Sequence, residues 1–183
     1  MLANLAKPNI VWDIKSKIFT KLNVFDDELC DSIIEFGNEH VSKGINKYPH
    51  IFKTSFYSCL LPLEHEAHTK LQSVWEEIID YYKFNISFVE PYELKKYTDN
   101  DFFGSHIDNY YGLNTNLDRK ITLVVQLSNK SLYTGGELKV INTHAIKERG
   151  SVIAFPSFFP HEVLKTTGCR WSLISWAWGP YWK

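Results

Sequence analysis

Hydrophobic residues recur at helical spacing in two segments of the first half of the chain. From Glu64 to about Tyr82 they follow one side of a 3.6-residue repeat, which predicts an amphipathic helix. Asp26 can cap an earlier helix that runs through Asn38, and the alternation from Ile18 to Phe25 predicts a strand before it. The apolar sides comprise Leu29, Ile33, Ile34 and Phe36 in the first helix, and Leu71, Val74, Trp75, Ile78, Ile79 and Tyr82 in the second.

The pattern changes after Asn85, where short β-rich runs alternate with turn residues. Two helices followed by many short strands are typical of an antiparallel sandwich or barrel backed by helices. Among such folds, the jelly roll holds a small site in its open mouth. The sequence therefore predicts one mainly β domain with flanking helices (α+β) over residues 1–183. Its helical support covers about 1–84 and its jelly-roll core about 85–183, with strands at 86–97, 120–127, 137–142, 151–155, 162–165 and 170–178.

Charge and composition argue against several classes of protein. Lys and Arg total 20 and Asp and Glu total 21, so the basic surface typical of a nucleic-acid-binding protein is not expected. No stretch approaches 18 consecutive apolar residues and the first residues lack a signal-peptide pattern, so no membrane association is predicted. The three cysteines are widely spaced, which indicates neither a zinc ribbon nor a disulfide framework. Together these observations favour a cytoplasmic protein.

His106 and Asp108 stand two residues apart in the segment FGSHIDNYY. Positions i and i+2 of an extended strand share one face, so both side chains can reach one metal ion. His161 follows a buried-looking strand and a proline turn further along the chain. Two imidazoles and one carboxylate leave adjacent positions of a metal open, which is the facial triad of non-haem Fe(II) oxygenases. The sequence therefore predicts an iron site at these three residues.

A cation lies beyond the second histidine, where such a site needs one. Arg170 is one of only three arginines in the chain and follows His161 by nine residues, inside a predicted strand. An iron site with open positions works with a chelating, acidic cosubstrate, and a guanidinium can hold a carboxylate through two hydrogen bonds. Arg170 is therefore predicted to bind that cosubstrate.

From about Tyr92 to Trp176 the sequence resembles the 2-oxoglutarate/Fe(II) dioxygenases, and within them the prolyl 4-hydroxylase-like group. The matching pieces occur in the family's order, namely ELKKYTDNDFFGSHIDN, RKITLVVQLSN, TGGELKV, RGSVIAFPSFFPHEV and GCRWSLISW. The resemblance implies a double-stranded β-helix core with Fe(II) at the triad. It also implies that O2 and 2-oxoglutarate are consumed, with release of succinate and CO2, while a C–H bond is hydroxylated. Ascorbate is expected as the reductant.

The resemblance also implies contacts for 2-oxoglutarate. Arg170 is expected to bind its C5 carboxylate, and Tyr97 to hydrogen-bond the same molecule. Ser172 completes an Arg-x-Ser pattern, and Thr122 or Gln126 is expected to line the pocket from the neighbouring strand. Four aromatic residues are candidates for the wall that keeps the site dry: Phe155, Phe158, Phe159 and Trp176.

Substrate specificity in such a site resides in loops. The resemblance points to a proline in a peptide or protein, laid across the barrel mouth beneath residues 40–52 and 109–118, where Tyr48, Tyr110 and Tyr111 offer ring faces. A free amino acid or other small molecule is the alternative. A zinc or nickel jelly roll of the cupin type is another, although such proteins need no arginine beyond the last ligand. An inactive binding module would be expected to have lost a ligand or the cosubstrate cation, and this chain keeps them all.

Overall fold

A computed structural model of the chain describes residues 17–43, 57–109 and 116–181. Within these ranges, two helices accompany three antiparallel sheets. The helices are α1 (Asp27–His40) and α2 (Glu66–Tyr82). The strands are β1 (Phe19–Lys21), β2 (Ser42–Lys43), β3 (Tyr57–Leu60), β4 (Phe88–Val89), β5 (Glu93–Tyr97), β6 (Phe103–His106), β7 (Leu117–Gln126), β8 (Tyr133–Gly135), β9 (Leu138–Val140), β10 (Thr143–His144), β11 (Val152–Pro156), β12 (His161–Val163), β13 (Thr166–Gly168) and β14 (Arg170–Pro180).

Both helices lie within two residues of their predicted bounds, because local groups define their ends. The Asp26 carboxylate accepts a hydrogen bond from the Leu29 N–H over 2.9 Å, which satisfies a free donor in the first turn of α1. Helix α2 follows His65, whose Nδ1 accepts from the Ala67 N–H. It ends at Tyr82, and the capping residue Lys83 adopts a left-handed conformation with φ of 56°. Neither of these two helices is long and apolar enough to cross a membrane.

The first strand is shorter than its sequence pattern predicts. The alternating segment enters the sheet as β1, which ends at Lys21. Asn23 then adopts a left-handed conformation with φ of 55°, which turns the chain. The N–H groups of Val24 and Phe25 both donate to the carbonyl of Gly150 instead of a strand partner. Alternation predicted the direction of the side chains but not this turn.

The large sheet has eight strands in the order β1-β11-β7-β14-β5-β3-β2, with β4 beside β14. Strand β14 is central, because it pairs with β7 along most of its length and with β5 on its other side. Strands β1, β2 and β3 come from the region before residue 85. The sheet therefore takes strands from both predicted parts of the domain.

A four-stranded sheet in the order β10-β9-β12-β6 lies across from the large sheet, and β8 and β13 form a separate two-stranded ribbon. One cavity is lined by residues of both larger sheets, including Val124 from β7 and Leu138 from β9. Two facing antiparallel sheets with two helices outside them form the predicted jelly-roll core. The predicted fold class is confirmed.

Strand alternation divides the core between the two faces of the large sheet. Leu123 and Val125 of β7 point towards the helices, whereas Val124 between them points towards the small sheet. The helices bury residues such as Leu29 and Leu71 against the first face. The second face shares an apolar cluster with the small sheet: Tyr97, Val124, Leu138, Val140, Ile153, Phe155 and Val163. The helices therefore close one face and leave the other for a site.

Gly37 allows α1 to lie directly on the large sheet. A Cβ at this position would stand 2.4 Å from a methyl carbon of Leu94 and 2.7 Å from the ring of Trp171. Both neighbours are buried in the core between helix and sheet. The glycine therefore determines how closely helix and sheet approach.

Gly37→Ala and Gly37→Leu should lower the melting temperature, the second by more. Better helix propensity contributes about 1 kcal/mol, whereas overpacking a close-packed core costs about 1–3 kcal/mol and rises with the added volume. Thermal unfolding followed by circular dichroism measures the change. Glu35→Ala, at an exposed position of the same helix, is the matched control. A higher melting temperature for Gly37→Leu would contradict the close contact.

Candidate metal centre

His106 and His161 are direct cross-strand partners in the small sheet. His106 ends β6, His161 begins β12, and the antiparallel register pairs the two. Their ring centroids lie 4.2 Å apart. Nδ1 of His106 is 2.8 Å from the Gly104 carbonyl, and Nδ1 of His161 is 2.9 Å from the Phe159 carbonyl. A neutral ring that donates from Nδ1 keeps its lone pair on Nε2, so both histidines present a ligand nitrogen.

Asp108 brings the third ligand atom to these nitrogens. Its Oδ1 lies 3.5 Å from Nε2 of His106, and its Oδ2 lies 3.3 Å from Nε2 of His161. Burial alone would raise the pKa of Asp108, but hydrogen bonds and charge from the two histidines outweigh burial and hold that pKa well below its usual range. The carboxylate is therefore ionised and ready to bind a cation.

The backbone around Asp108 differs from the predicted extended strand. Strand β6 ends at His106, and Asp108 follows in an irregular segment. Its N–H donates to the carbonyl of Ser157 over 2.9 Å, so the chain before His161 holds the Asp108 backbone. The prediction that both side chains reach one point was right, but the reason was incomplete, because i and i+2 share a face only within a strand.

The three residues fit a divalent iron ion. One ligand atom from each lies within 4.8 Å of the other two, and no other group of three His, Cys, Asp or Glu within 17–43, 57–109 and 116–181 does this. Two imidazoles with one carboxylate are the donor set of the facial triad, which leaves adjacent metal positions free for other ligands. The triad also lines the cavity between the sheets, so these free positions can face a bound molecule.

Arg170 lines the same cavity and is only 1% exposed. It begins β14, where its guanidinium donates to Gln126 Oε1 over 3.0 Å and to Ser172 Oγ over 3.4 Å. Its Nε is buried without a hydrogen-bond partner. No carboxylate in the described part of the chain forms a salt bridge with it. A buried cation normally has an anionic partner, so this end of the cavity lacks a negative charge.

Tyr97 stands opposite Arg170 in the register of β5 and β14. Its ring centroid lies 5.3 Å from the guanidinium carbon of Arg170, and it too lines the cavity. Burial raises the pKa of Tyr97 to about 12, although the charge of Arg170 opposes that rise. The phenol is therefore protonated at neutral pH and can donate a hydrogen bond.

The three remaining predicted contacts lie in different places. Ser172 lines the cavity beside Arg170. Gln126 does not line it; its side chain bridges Arg170 and the carbonyl of Ile146, and so orients the cation. Thr122 lines the cavity at the metal end, where its hydroxyl donates to Asp108. The structure therefore brings Ser172 to the predicted position and gives Thr122 and Gln126 supporting contacts.

The sequence did not predict the hydrogen bonds that two residues, Trp176 and Ser157, form around Asp108. Trp176 was predicted to form part of the wall that excludes water, and it does line the cavity. Its indole N–H also donates to Asp108 over 2.8 Å. Ser157 holds both the Asp108 backbone and, through its hydroxyl, Thr122. The alternation of the WSLISWAW segment placed Trp176 on an inward face, but no sequence signal gave its partner.

The cavity measures about 390 Å³, a size suited to small ligands. Of the other predicted wall residues, Phe155 packs against the ring of His161 from within the core. Phe158 is 38% exposed and neither it nor Phe159 lines the cavity. Aliphatic residues from both sheets take that place: Val124, Leu138, Val163 and Ile174.

Towards the metal end, an ion pair is stacked on the tryptophan of the wall. The Arg119 guanidinium lies 3.7 Å above the Trp176 ring and makes two hydrogen bonds to Glu90, of 2.7 and 3.0 Å.

Tyr48, Tyr110 and Tyr111, predicted to face a substrate, lie outside the described residues, as does most of the two loops that carry them.

Comparison with known proteins supports one family. A sequence model of the 2OG-Fe(II) oxygenase superfamily matches residues 92–178, a range that contains the triad and Arg170. Among curated proteins, none matches this sequence.

Solved structures share the fold at low sequence identity. The viral collagen prolyl hydroxylase of Paramecium bursaria Chlorella virus-1, in complex with 2OG, is 18% identical with a TM-score of 0.69, over 89% of this chain and 96% of that chain. A prolyl-4-hydroxylase of Pseudomonas putida is 16% identical with a TM-score of 0.69, over 88% and 91%. A prolyl hydroxylase of Trichoplax adhaerens, in complex with a hypoxia inducible factor peptide fragment, is 15% identical with a TM-score of 0.67, over 90% and 84%. Residues 92–178 therefore match the 2OG-Fe(II) oxygenase superfamily, and the fold of the chain is that of the prolyl 4-hydroxylase-like group.

Proposed function

We propose that this protein is a 2-oxoglutarate-dependent Fe(II) dioxygenase that hydroxylates a prolyl residue of a peptide or protein. Its superfamily implies Fe(II), 2-oxoglutarate and O2 as reagents. We assign Fe(II) to His106, Asp108 and His161. The observation that carries the proposal is that one cavity has a His-Asp-His ligand triad at one end and, at the other, the buried Arg170, which has no acidic partner among the described residues.

Each end of the cavity has a defined task under this proposal. When bound, the iron would supply the O2 chemistry of the reaction. His106 and His161 orient their Nε2 atoms by donating from Nδ1 to backbone carbonyls. Asp108 contributes a negative charge that offsets part of the charge of the metal.

Arg170 would bind the C5 carboxylate of 2-oxoglutarate. Two parallel N–H groups of a guanidinium match two carboxylate oxygens, and burial strengthens the interaction. Gln126 fixes the orientation of the cation, while Ser172 and the protonated phenol of Tyr97 can donate to the same molecule. The aliphatic side chains between the two ends exclude water.

Two observations favour a prolyl substrate over the alternatives. Several proteins that share this fold are prolyl hydroxylases, and one is described with a bound peptide fragment. Arg170 also argues against a cupin-type metal site, which needs no buried cation beyond its ligands. A free amino acid or other small molecule would fit a cavity of about 390 Å³ as well, so the substrate experiment below includes it.

Replacing His106, Asp108 or His161 with Ala should abolish succinate formation from 2-oxoglutarate and weaken Fe(II) binding, because each change removes one of three ligands. Anaerobic Fe(II) titration and a succinate assay with ascorbate measure the two effects. His144→Ala, at an exposed histidine outside the group, is the control. Unchanged iron stoichiometry and turnover in all three variants would refute the assignment.

Arg170→Ala should raise the dissociation constant of 2-oxoglutarate by roughly 10- to 150-fold. A charge-assisted hydrogen-bonded pair contributes about 1.5–3 kcal/mol, and 1.4 kcal/mol corresponds to about a factor of ten. Iron affinity without 2-oxoglutarate should change little. Lys165→Ala removes an exposed nearby cation and should leave the 2-oxoglutarate affinity unchanged. If Lys165→Ala weakens 2-oxoglutarate binding and Arg170→Ala does not, the residue that binds the C5 carboxylate is Lys165.

Incubation of proline-rich peptides with the protein, Fe(II), 2-oxoglutarate and ascorbate should add one oxygen to proline, detected by mass spectrometry. Free proline and other small amino acids form a second arm of the experiment. The Asp108→Ala variant serves as the inactive control. If only a small molecule gains oxygen, the peptide substrate is wrong, while the iron and 2-oxoglutarate assignments remain.

A further inference from the structure

The carboxylate of Asp108 receives two hydrogen bonds from the large sheet, and both reach the same oxygen. The Thr122 hydroxyl donates to Oδ2 over 2.7 Å, and the Trp176 indole N–H donates to Oδ2 over 2.8 Å. Neither contacts Oδ1, whose nearest described ligand partner is Nε2 of His106 at 3.5 Å. The two oxygens of this carboxylate therefore have different surroundings.

The two donors are held rigidly by the sheet. Thr122 of β7 and Trp176 of β14 are direct partners in the antiparallel register, so their side chains lie side by side on the cavity face. Because Thr122 gives its single hydroxyl hydrogen to Asp108, the Ser157 hydroxyl 3.0 Å away must donate to Thr122. Arg119 stacks on the other side of this assembly, over the Trp176 ring.

A carboxylate can bind a metal through one oxygen or through both. A facial triad needs a single oxygen, because a second would occupy a position required by the cosubstrate or by O2. Oδ2 also lies 3.3 Å from Nε2 of His161, so distance alone does not select the ligating oxygen. Hydrogen bonding does, because two donors already occupy the lone pairs of Oδ2.

We propose that Thr122 and Trp176 are positioning residues that restrict Asp108 to one ligating oxygen, Oδ1. This inference rests on the proposed iron site and adds a mechanism by which the large sheet keeps that site open. An indole N–H suits the task, since it can donate but never accept. Hydrogen-bond partners of metal ligands typically change metal affinity or activity 10- to 100-fold when they are removed.

Four variants test whether Thr122 and Trp176 position Asp108. Thr122→Val removes one donor with little change in shape, Trp176→Phe removes the other donor together with part of the ring, and Thr122→Ser keeps the hydroxyl. Trp178→Phe removes an indole N–H from the same strand that donates to Glu90 and not to Asp108. The readouts are the Fe(II) dissociation constant under anaerobic conditions and the visible absorption band of the complex with Fe(II) and 2-oxoglutarate.

We expect roughly 10- to 100-fold weaker Fe(II) binding and a shifted band for Thr122→Val and Trp176→Phe. Thr122→Ser and Trp178→Phe should match the unmodified protein in both. Circular dichroism verifies folding, and if Trp176→Phe does not fold, the comparison of Thr122→Val with Thr122→Ser decides. Unchanged affinity and band in the folded donor-deleting variants would overturn this inference. If the unmodified protein itself binds neither Fe(II) nor 2-oxoglutarate, the proposed function fails instead.

Discussion

The burial of one carboxylate constrains the whole site. An ionised group taken out of water is costly unless polar partners surround it. Asp108 accepts hydrogen bonds from the Thr122 hydroxyl and the Trp176 indole, and it faces the Nε2 atoms of His106 and His161, with which it would share a cation. The histidines belong to the small sheet and the other two to the large sheet. Asp108 therefore joins the two sheets electrostatically at the point where they enclose the cavity.

Strand β14 connects the two ends of that cavity. Arg170, Ser172, Ile174 and Trp176 all line it, because alternate residues of a strand share a face. The other face of β14 carries Trp171 and Leu173, which pack with the helices. A shift of one residue in the register between β14 and β7 would turn Arg170 and Trp176 into the helix-facing core. The nine paired positions between these strands prevent such a shift, so the extent of the central pairing underlies the geometry of the site.

Local patterns were enough to predict the helices and to select the candidate site residues. The 3.6-residue repeat of α2 and the cap at Asp26 depend on neighbours within four residues, so the sequence contains them directly. His106, Asp108, His161 and the rare Arg170 could be selected by residue type and spacing. The contacts of Thr122 and Gln126 could not be predicted, because each depends on a partner far away along the chain, by 14 and 44 residues respectively. Short strands such as β8 and β13 were missed for the same reason: a strand exists only with its partner, and neither has a pattern of its own.

The charges of the cavity make a dicarboxylate a better occupant than a monocarboxylate under the proposed function. At one end, Arg170 has unfilled donors and no acidic partner in the part of the chain that the structure describes. At the other end, Asp108 supplies one negative charge, which would leave a divalent cation bound there with an excess of one positive charge. A monocarboxylate would neutralise only one end, and the remaining charge would stay buried at a cost of several kcal/mol. A molecule with carboxylates at both ends neutralises both, and the aliphatic side chains between them, Val124 and Ile174 among them, match its apolar middle.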